Sequence, residues 1–532
     1  MRKATQSNRL AGYLLASTLG LLALAIRLAA GPWPVDDAYI TFRYARNLTR
    51  SLGLVYNPGQ PVLGTSTPAF ALLLALLTTV TRVEIVWIAL VINATADGVS
   101  TYLLYRLARR LNLPRWAAIM CSLSWAFYPL SLRYAVGGME TSLVSVTLLA
   151  SFALYLSKQE RWGMALAGLA ILTRPDALAA AAVILLSLVF ENRRLPWRSA
   201  LILIGVLLPW LLFATLQYGN PLPQSLQAKS HAVYLAMPWE NAFQILYQLG
   251  GIILSSPMGL AAKGITVSPP PSMFVPLLTA AFIQLVLWRL GVTDAIRMER
   301  RWSAFFAFPL VFCGTYTLLG LRGNLIAEWY LVPLTPFVLL GVFSGLARIS
   351  RQLTSRVYSA LPIAIGLLVM IAQISGLNLG RQAERNPWVP LAVWTEREEI
   401  YVKAAEFLVP ILDTEDVVAA SEIGALGYYC DCNILDTVGL VSPEALTYYP
   451  VPVDLYATNY AVPPTLIRDL VPAYFVTLEV FIRHSLMEAE WFQREYKLIW
   501  ETDTQSFGSQ GMLIFAHTAQ GQIHELPRDV LP

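Results

Sequence analysis

Residues 9–47 read RLAGYLLASTLGLLALAIRLAAGPWPVDDAYITFRYARN, and the order of their parts decides the fold. The apolar run from about Leu10 to Ala30 is long enough to span a bilayer, which takes about 20 such residues. Arg2, Lys3 and Arg9 precede it, and Gly31-Pro32-Trp33-Pro34 follows. That sequel is not the small-residue site of a cleaved signal peptide, so the run reads as a retained anchor. Asp36 and Asp37 then stand side by side directly after the span. Carboxylates so close to lipid are costly without a partner or a task. Ala38, Phe42 and Ala45 recur at helical spacing, so either aspartate can cap an interfacial helix. Capping uses one carboxylate. The second needs an acceptor hydroxyl, a metal or an arginine such as Arg43.

The composition extends this reading to the rest of the chain. Of 532 residues, 56% are hydrophobic and 14% charged, against roughly 25% charged in a soluble protein. Apolar runs fill residues 1–378 and an ordinary mixed composition fills 379–532, with the boundary near Arg381 to Pro387. The net charge is +4, and Lys and Arg stand between apolar runs. That is the pattern of a topology signal and not the basic stripe of a nucleic-acid partner. Cys121 and Cys313 lie in apolar runs and read as packing residues. Cys430 and Cys432, one residue apart, are too close for an easy unstrained disulfide and are given no chemistry. No internal repeat is visible.

Matching apolar run length to the Lys and Arg clusters gives about 11 spans, with the N-terminus inside and the C-terminal region outside. After the anchor, Ala69–Val80 reads as an interfacial helix or a tilted span. The later spans are Val86–Tyr105, Trp116–Leu132, Leu143–Leu156, the short pair Met164–Leu172 and Ala177–Phe190, Leu201–Leu216, Met273–Trp288, Phe305–Leu319, Trp329–Leu346 and Ala360–Leu377.

With this threading the ionisable and aromatic motifs fall on the outer side. Thr65 and Ser66, in Gly64-Thr65-Ser66-Thr67-Pro68, can bond a sugar or cap the helix that follows. Glu140 opens a helix, where a dipole role is the plain alternative. Arg174 and Asp176, between two short helices, read as a salt bridge or as a phosphate-facing arginine. Lys229, Arg322 and Tyr330 sit beside other aromatics, as interfacial anchors also do. Their common side favours a shared function. The C-terminal region alternates strand-like runs (Val417–Ala420, Tyr474–Leu478, Lys497–Trp500, Met512–Ala516) with helices, as a small α/β domain would.

The run Asp36 to Asn47, with Gly53-Leu54-Val55-Tyr56-Asn57-Pro58-Gly59, Gly138-Met139-Glu140-Thr141, Thr173-Arg174-Pro175-Asp176 and Leu222-Pro223…Ala228-Lys229, resembles the terminal β-arabinofuranosyltransferases of mycobacterial cell walls. So do Glu422 to Tyr429 and Leu435 to Leu440. The resemblance implies a GT-C-like polytopic α-helical fold with an active site near the outer membrane face. It implies a polyprenyl-phosphate sugar donor, possible arabinofuranose transfer, a glycan or lipid acceptor, and a first-loop aspartate as general base. That role falls on Asp36, with Asp37 as its neighbour. Ala69-Phe70, Thr67 and Pro223-Gln224 depart from the family pattern where donor or acceptor would be read, so the sugar stays open. Arg174, Arg322, Lys229 and Tyr330 are then the donor-phosphate ligands, and Glu140, Arg43, Thr65 and Ser66 position substrate. A base without a protein nucleophile implies inversion. A divalent metal on Asp36 and Asp37 is compatible, but no His or carboxylate cluster requires one. The expected setting is a bacterial plasma membrane, as a monomer. The rival reading is a lipid flippase, which would show matching halves and mid-membrane polar groups.

Overall fold

A computed structural model describes residues 2–230, 274–322, 326–353, 356–376 and 393–519, together with 233–235, 241, 245 and 249. Among them, seven helices are long and apolar enough to cross a membrane: Leu10–Ala30, Ile85–Arg110, Pro175–Asn192, Trp197–Tyr218, Leu278–Met298, Trp302–Leu321 and Val332–Gln352. The pair Pro129–Val136 and Thr141–Leu156, bent by 119°, adds an eighth if it is one span.

Among the described residues the expected count of about 11 is not confirmed, and several differences have local reasons. Pro129 holds Tyr128 extended (φ −66°, ψ 119°) and splits the expected span Trp116–Leu132 into Arg115–Ala126 and Pro129–Val136. Gly138, at φ +74°, then turns the chain toward Thr141. Met164–Leu172 lies inside a 14-residue helix, Glu160–Thr173, which is too short to span. Its companion, expected to be short, is long enough as Pro175–Asn192. The expected span Ala360–Leu377 falls in the helix Arg356–Gly376, of which Ala360–Ile371 is an apolar stretch among the described residues. Leu377 and the boundary at 381–387 lie outside the described residues. Pro68–Thr81 is again a short helix of 14 residues, ended by Arg82 in the left-handed region.

The bundle has a clear inside. Val332–Gln352 is 89% buried over its apolar window and serves as the axis, whereas Trp197–Tyr218 is 17% buried and offers its sides to lipid. The anchor crosses Ile85–Arg110 backbone to backbone: a Cβ on Gly20 would stand 2.7 Å from the Gly98 carbonyl. Small residues permit such an approach where no hydrophobic force joins helices. Further along the same two helices, Arg27 donates from Nε to Asp97 at 2.9 Å with both side chains fully buried. Arg27 also donates to the Ala126 carbonyl and, at 3.1 Å, to Ser131.

One end of the bundle collects basic clusters paired with acids. Arg301 meets Glu160 at 2.7 Å and Glu191 at 2.8 Å, and Arg110 meets Glu299 at 3.1 Å. The other end carries the first loop, whose Trp33 and Val35 amides bond the Val136 and Gly137 carbonyls. The C-terminal region packs there.

That region is a five-stranded mixed sheet in the order β2-β1-β3-β5-β4. The strands are β1 (Val417–Ala420), β2 (Asn433–Asp436), β3 (Tyr474–Leu478), β4 (Tyr496–Asp503) and β5 (Gly511–His517). β1 pairs in parallel with β2 and β3, and β5 runs antiparallel between β3 and β4. The helix Gly424–Cys430 makes the β1-to-β2 crossover. β1 therefore sits where the strand order reverses, and the residues after it lie at the edge where open α/β sheets place ligands.

Candidate active site

Residues Asp36–Thr49 form one helix, with both aspartates in its first turn and Arg46 in its last. It lies along the short crossover helix Gly424–Cys430, which has no side-chain cap of its own. Asp36 supplies that cap. Its Oδ2 accepts the Gly424 N–H at 3.0 Å and its Oδ1 the Ala425 N–H at 2.8 Å. At the far end, Arg43 donates to the Gly427 carbonyl at 2.7 Å and the Cys432 carbonyl at 2.6 Å. Arg46 donates to the Tyr428 carbonyl at 2.6 Å and pairs with Asp431 at 2.7 Å, and Arg50 joins at 2.5 Å. An acid thus meets the positive end of the crossover helix and arginines meet its negative end. The helices touch so closely that a Cβ on Gly424 would fall 1.8 Å from the Asp36 carbonyl oxygen, and one on Gly427 1.9 Å from the Tyr56 hydroxyl.

The rest of the first loop joins the same seam. Asn57 pairs with the main chain of Ile434 on β2, donating at 2.8 Å and accepting at 3.1 Å. Cys430 and Cys432, given no chemistry from their spacing, form a disulfide with Cα atoms 5.2 Å apart. Asp431 between them adopts the left-handed conformation at φ 55°, which lets the two side chains meet.

Asp36 is buried while Asp37 is exposed. Around them stand two guanidinium–carboxylate clusters. In the first, Arg397 bonds Glu398 at 2.8 Å and Glu422 at 3.0 Å, and Glu398 accepts the Asp36 N–H at 2.9 Å. Burial raises the Glu422 carboxyl above the usual range; Arg397 opposes the rise, and Asp36 and Asp37 add to it. In the second, Arg174 is buried against Asp176, stands 3.7 Å from Glu140, and donates to the Trp329 and Tyr330 carbonyls at 3.3 and 3.4 Å. Tyr330 lies 5.6 Å beneath the Arg174 guanidinium and stacks on Tyr316. Glu140 sits in the break before Thr141–Leu156, and burial pushes its carboxyl up to about 7 against the pull of Arg174, with Asp176 and Asp37 adding to the rise. Asp37 is therefore within electrostatic reach of both clusters.

Other residues singled out from the sequence fall around this centre. Thr65 is buried in a hydroxyl triad with Thr41 and Thr67, at 3.3 and 3.1 Å, and Ser66 beside it is half-buried. Arg322 is exposed at the end of Trp302–Leu321, roughly 9 Å along the axis from Tyr316 at 1.5 Å per residue. Lys229 belongs to the helix Gln224–Ser230, which is tied to the first loop by the Gln224 N–H on the Leu63 carbonyl at 2.7 Å. Its side chain lies outside the described residues. Among the described residues no group of three or more His, Cys, Asp or Glu could hold a metal ion.

Arg397, Glu398 and Tyr316 carried no sequence signal. Arg397 and Glu398 sit in Thr395-Glu396-Arg397-Glu398-Glu399, which reads as a solvated helix face. Glu422 did carry one, as the first charged residue after a strand-like run.

These features define a multi-pass α-helical membrane protein of the GT-C fold with a small C-terminal sheet domain. The chain is similar to ArnT from Cupriavidus metallidurans in the apo state, at 12% identity and TM-score 0.53 over 95% of this chain and 98% of that one. It is similar to the same protein bound to undecaprenyl phosphate, at 13% and 0.53 over the same shares. It is also similar to an Archaeoglobus fulgidus oligosaccharyltransferase solved with zinc and sulfate, at 11% and 0.51 over 94% and 73%. These neighbours are GT-C membrane glycosyltransferases, and at such identities the likeness is one of fold. Residues 391–520 match a family described as a domain of unknown function, DUF8728. No curated protein matches the sequence.

Proposed function

We propose that this chain is a membrane glycosyltransferase that moves a sugar, arabinofuranose among the candidates, from a polyprenyl-phosphate donor to a hydroxyl of a cell-envelope glycan or lipid. The observation that carries the reading is the exposed Asp37 carboxylate, set between two buried guanidinium–carboxylate clusters at the end of a GT-C bundle. The undecaprenyl phosphate in the ArnT neighbour supports the choice of donor.

The pair of aspartates divides the work. Asp36 is buried and spends both oxygens on amide N–H groups, so it is not open to an acceptor hydroxyl. Asp37 takes the proton of the acceptor hydroxyl. The freed oxygen attacks the anomeric carbon, the bond from that carbon to the phosphate oxygen breaks, and the lipid phosphate leaves with the electron pair. Displacement from one face inverts the anomeric centre. Arg174 faces two carboxylates, so its cluster carries no net positive charge to offer a phosphate. It orders Glu140 and Tyr330 instead, and the phosphate falls to Arg322 and Lys229. Arg43 and Thr65 build the loop, and Ser66 faces substrate. The membrane part is 1–378 and the outer domain 379–532, in a bacterial plasma membrane with the N-terminus inside, as a monomer.

The test is transfer by purified full-length protein from short-chain polyprenyl-phosphate sugars to a panel of n-octyl glycosides. Asp37→Asn should lower kcat by about 10²–10⁴, the usual contribution of a positioned base, while the protein stays monodisperse. Full activity in that variant would end the proposal.

A further inference from the structure

We infer that Glu422, contributed by the C-terminal domain, is an acceptor-binding residue that takes a hydroxyl of a polyhydroxylated acceptor opposite Asp37. This rests on the transferase reading above and adds a role for the C-terminal domain.

The placement follows from the sheet. Glu422 stands two residues beyond β1, at the strand-order reversal where α/β sheets gather their ligands. In such a sheet the N-terminus of the next helix commonly receives an anion. Here that position is filled by Asp36 of the same chain, through the Gly424 and Ala425 amides. The domain therefore has no vacant anion slot at that helix, and its sheet edge is turned toward the first loop. Asp36 takes the helix end, and Glu422, just before the helix, is within electrostatic reach of Asp37.

The side chain is held as a ligand would need. Its Oε2 is 3.0 Å from Arg397 Nη1, and Arg397 is in turn fixed by Glu398 at 2.8 Å. Glu398 bonds the Asp36 amide, so the ring closes on the residue next to Asp37. The side chain keeps 18% exposure where Glu398 keeps 6%. Tyr234 feels the charges of both Glu422 and Asp37 and packs 5.8 Å from the Tyr460 ring. An oriented carboxylate next to tyrosines is the chemistry that holds sugar hydroxyls, by charge-assisted hydrogen bonds and apolar ring faces.

The experiment compares wild type, Glu422→Gln and Glu422→Asp as full-length protein in the n-octyl glycoside assay, varying donor and acceptor separately. Glu422→Gln should raise the acceptor KM about ten- to a hundredfold, the loss expected for one hydrogen bond to a charged group, with a much smaller change in kcat and in donor KM. Glu422→Asp keeps the charge and should fall between the two. An acceptor KM within twofold of wild type in both variants overturns the inference. So does a loss confined to kcat, which marks a purely structural residue. If Glu422→Gln aggregates, Glu422→Asp alone decides by the same criterion. A wild-type protein that transfers to no glycoside, or an Asp37→Asn variant as active as wild type, overturns the transferase reading itself, whatever Glu422 does.

Discussion

The Asp36 carboxylate accepts the Ala425 amide at 2.8 Å across 389 positions of sequence. That bond separates two roles that adjacent aspartates otherwise share. A base must be open to the proton it removes, and Asp36 is 3% exposed with an amide on each oxygen. Asp36→Asn keeps one acceptor oxygen and sets an NH₂ against the other amide. It should lower thermal stability by about 1–3 kcal/mol, the cost of a buried polar group left unsatisfied, and reduce kcat less than tenfold. Unfolding temperature and kcat on the same detergent-purified sample check both. A kcat loss of the size expected for Asp37→Asn, at unchanged stability, would return the base to Asp36.

Glu140 gives a stability signal with a defined sign. Its carboxyl is raised from 4.5 to about 7 by burial, opposed by Arg174 and reinforced by Asp176 and Asp37. Between those values the folded chain holds a proton that the unfolded chain releases. Stability from this group is therefore greatest at low pH, falls as pH rises toward 7, and is level above it. The change is on the order of 3 kcal/mol for a buried group shifted this far. Glu140→Gln cannot titrate, so its stability relative to wild type should rise by that amount between pH 4.5 and 8. The lost Arg174 contact adds only an offset. Thermal unfolding of both proteins across this range is the measurement, and a difference independent of pH would contradict the assignment.

Much of the architecture was legible because lipid imposes a coarse rule. Apolar length located the spans that Pro and Gly left intact, and four of the five strands showed as runs, two of them with the observed limits (Val417–Ala420 and Tyr474–Leu478). β2 was hidden because Asn433–Asp436 carries a polar residue at each end of a single apolar pair and follows a helix of only seven residues. The split at Pro129 was visible in principle, since the residue before a proline resists the helical conformation. Run length outweighed it. At the site, Asp36, Arg43 and Tyr56 of the first loop meet Ile423 to Cys432, a meeting the sequence reading did not foresee. What each does there was not legible. Composition cannot say which of two adjacent carboxylates will find amide partners from a distant helix, nor that Arg174 will be claimed by two acids.

Arg27 and Asp97 bear on whether this bundle opens. Both side chains are fully buried, and the pair joins the anchor, the Ile85–Arg110 helix and the broken segment through Ala126 and Ser131. A flippase that rocks its halves apart would have to break such a lock. An enzyme working at one end of a fixed bundle keeps it. Removing one partner leaves a buried charge alone, at a cost of about 3–5 kcal/mol, whereas replacing both with apolar residues of similar volume is often neutral. Arg27→Met should therefore lower the unfolding temperature of the detergent-solubilised protein strongly. Arg27→Met combined with Asp97→Leu should recover most of the loss. Glycosyl transfer should follow stability and return with the double variant, because both side chains are fully buried inside the bundle. A stable double variant without transfer would place Arg27 and Asp97 in the working cycle and reopen the transporter reading.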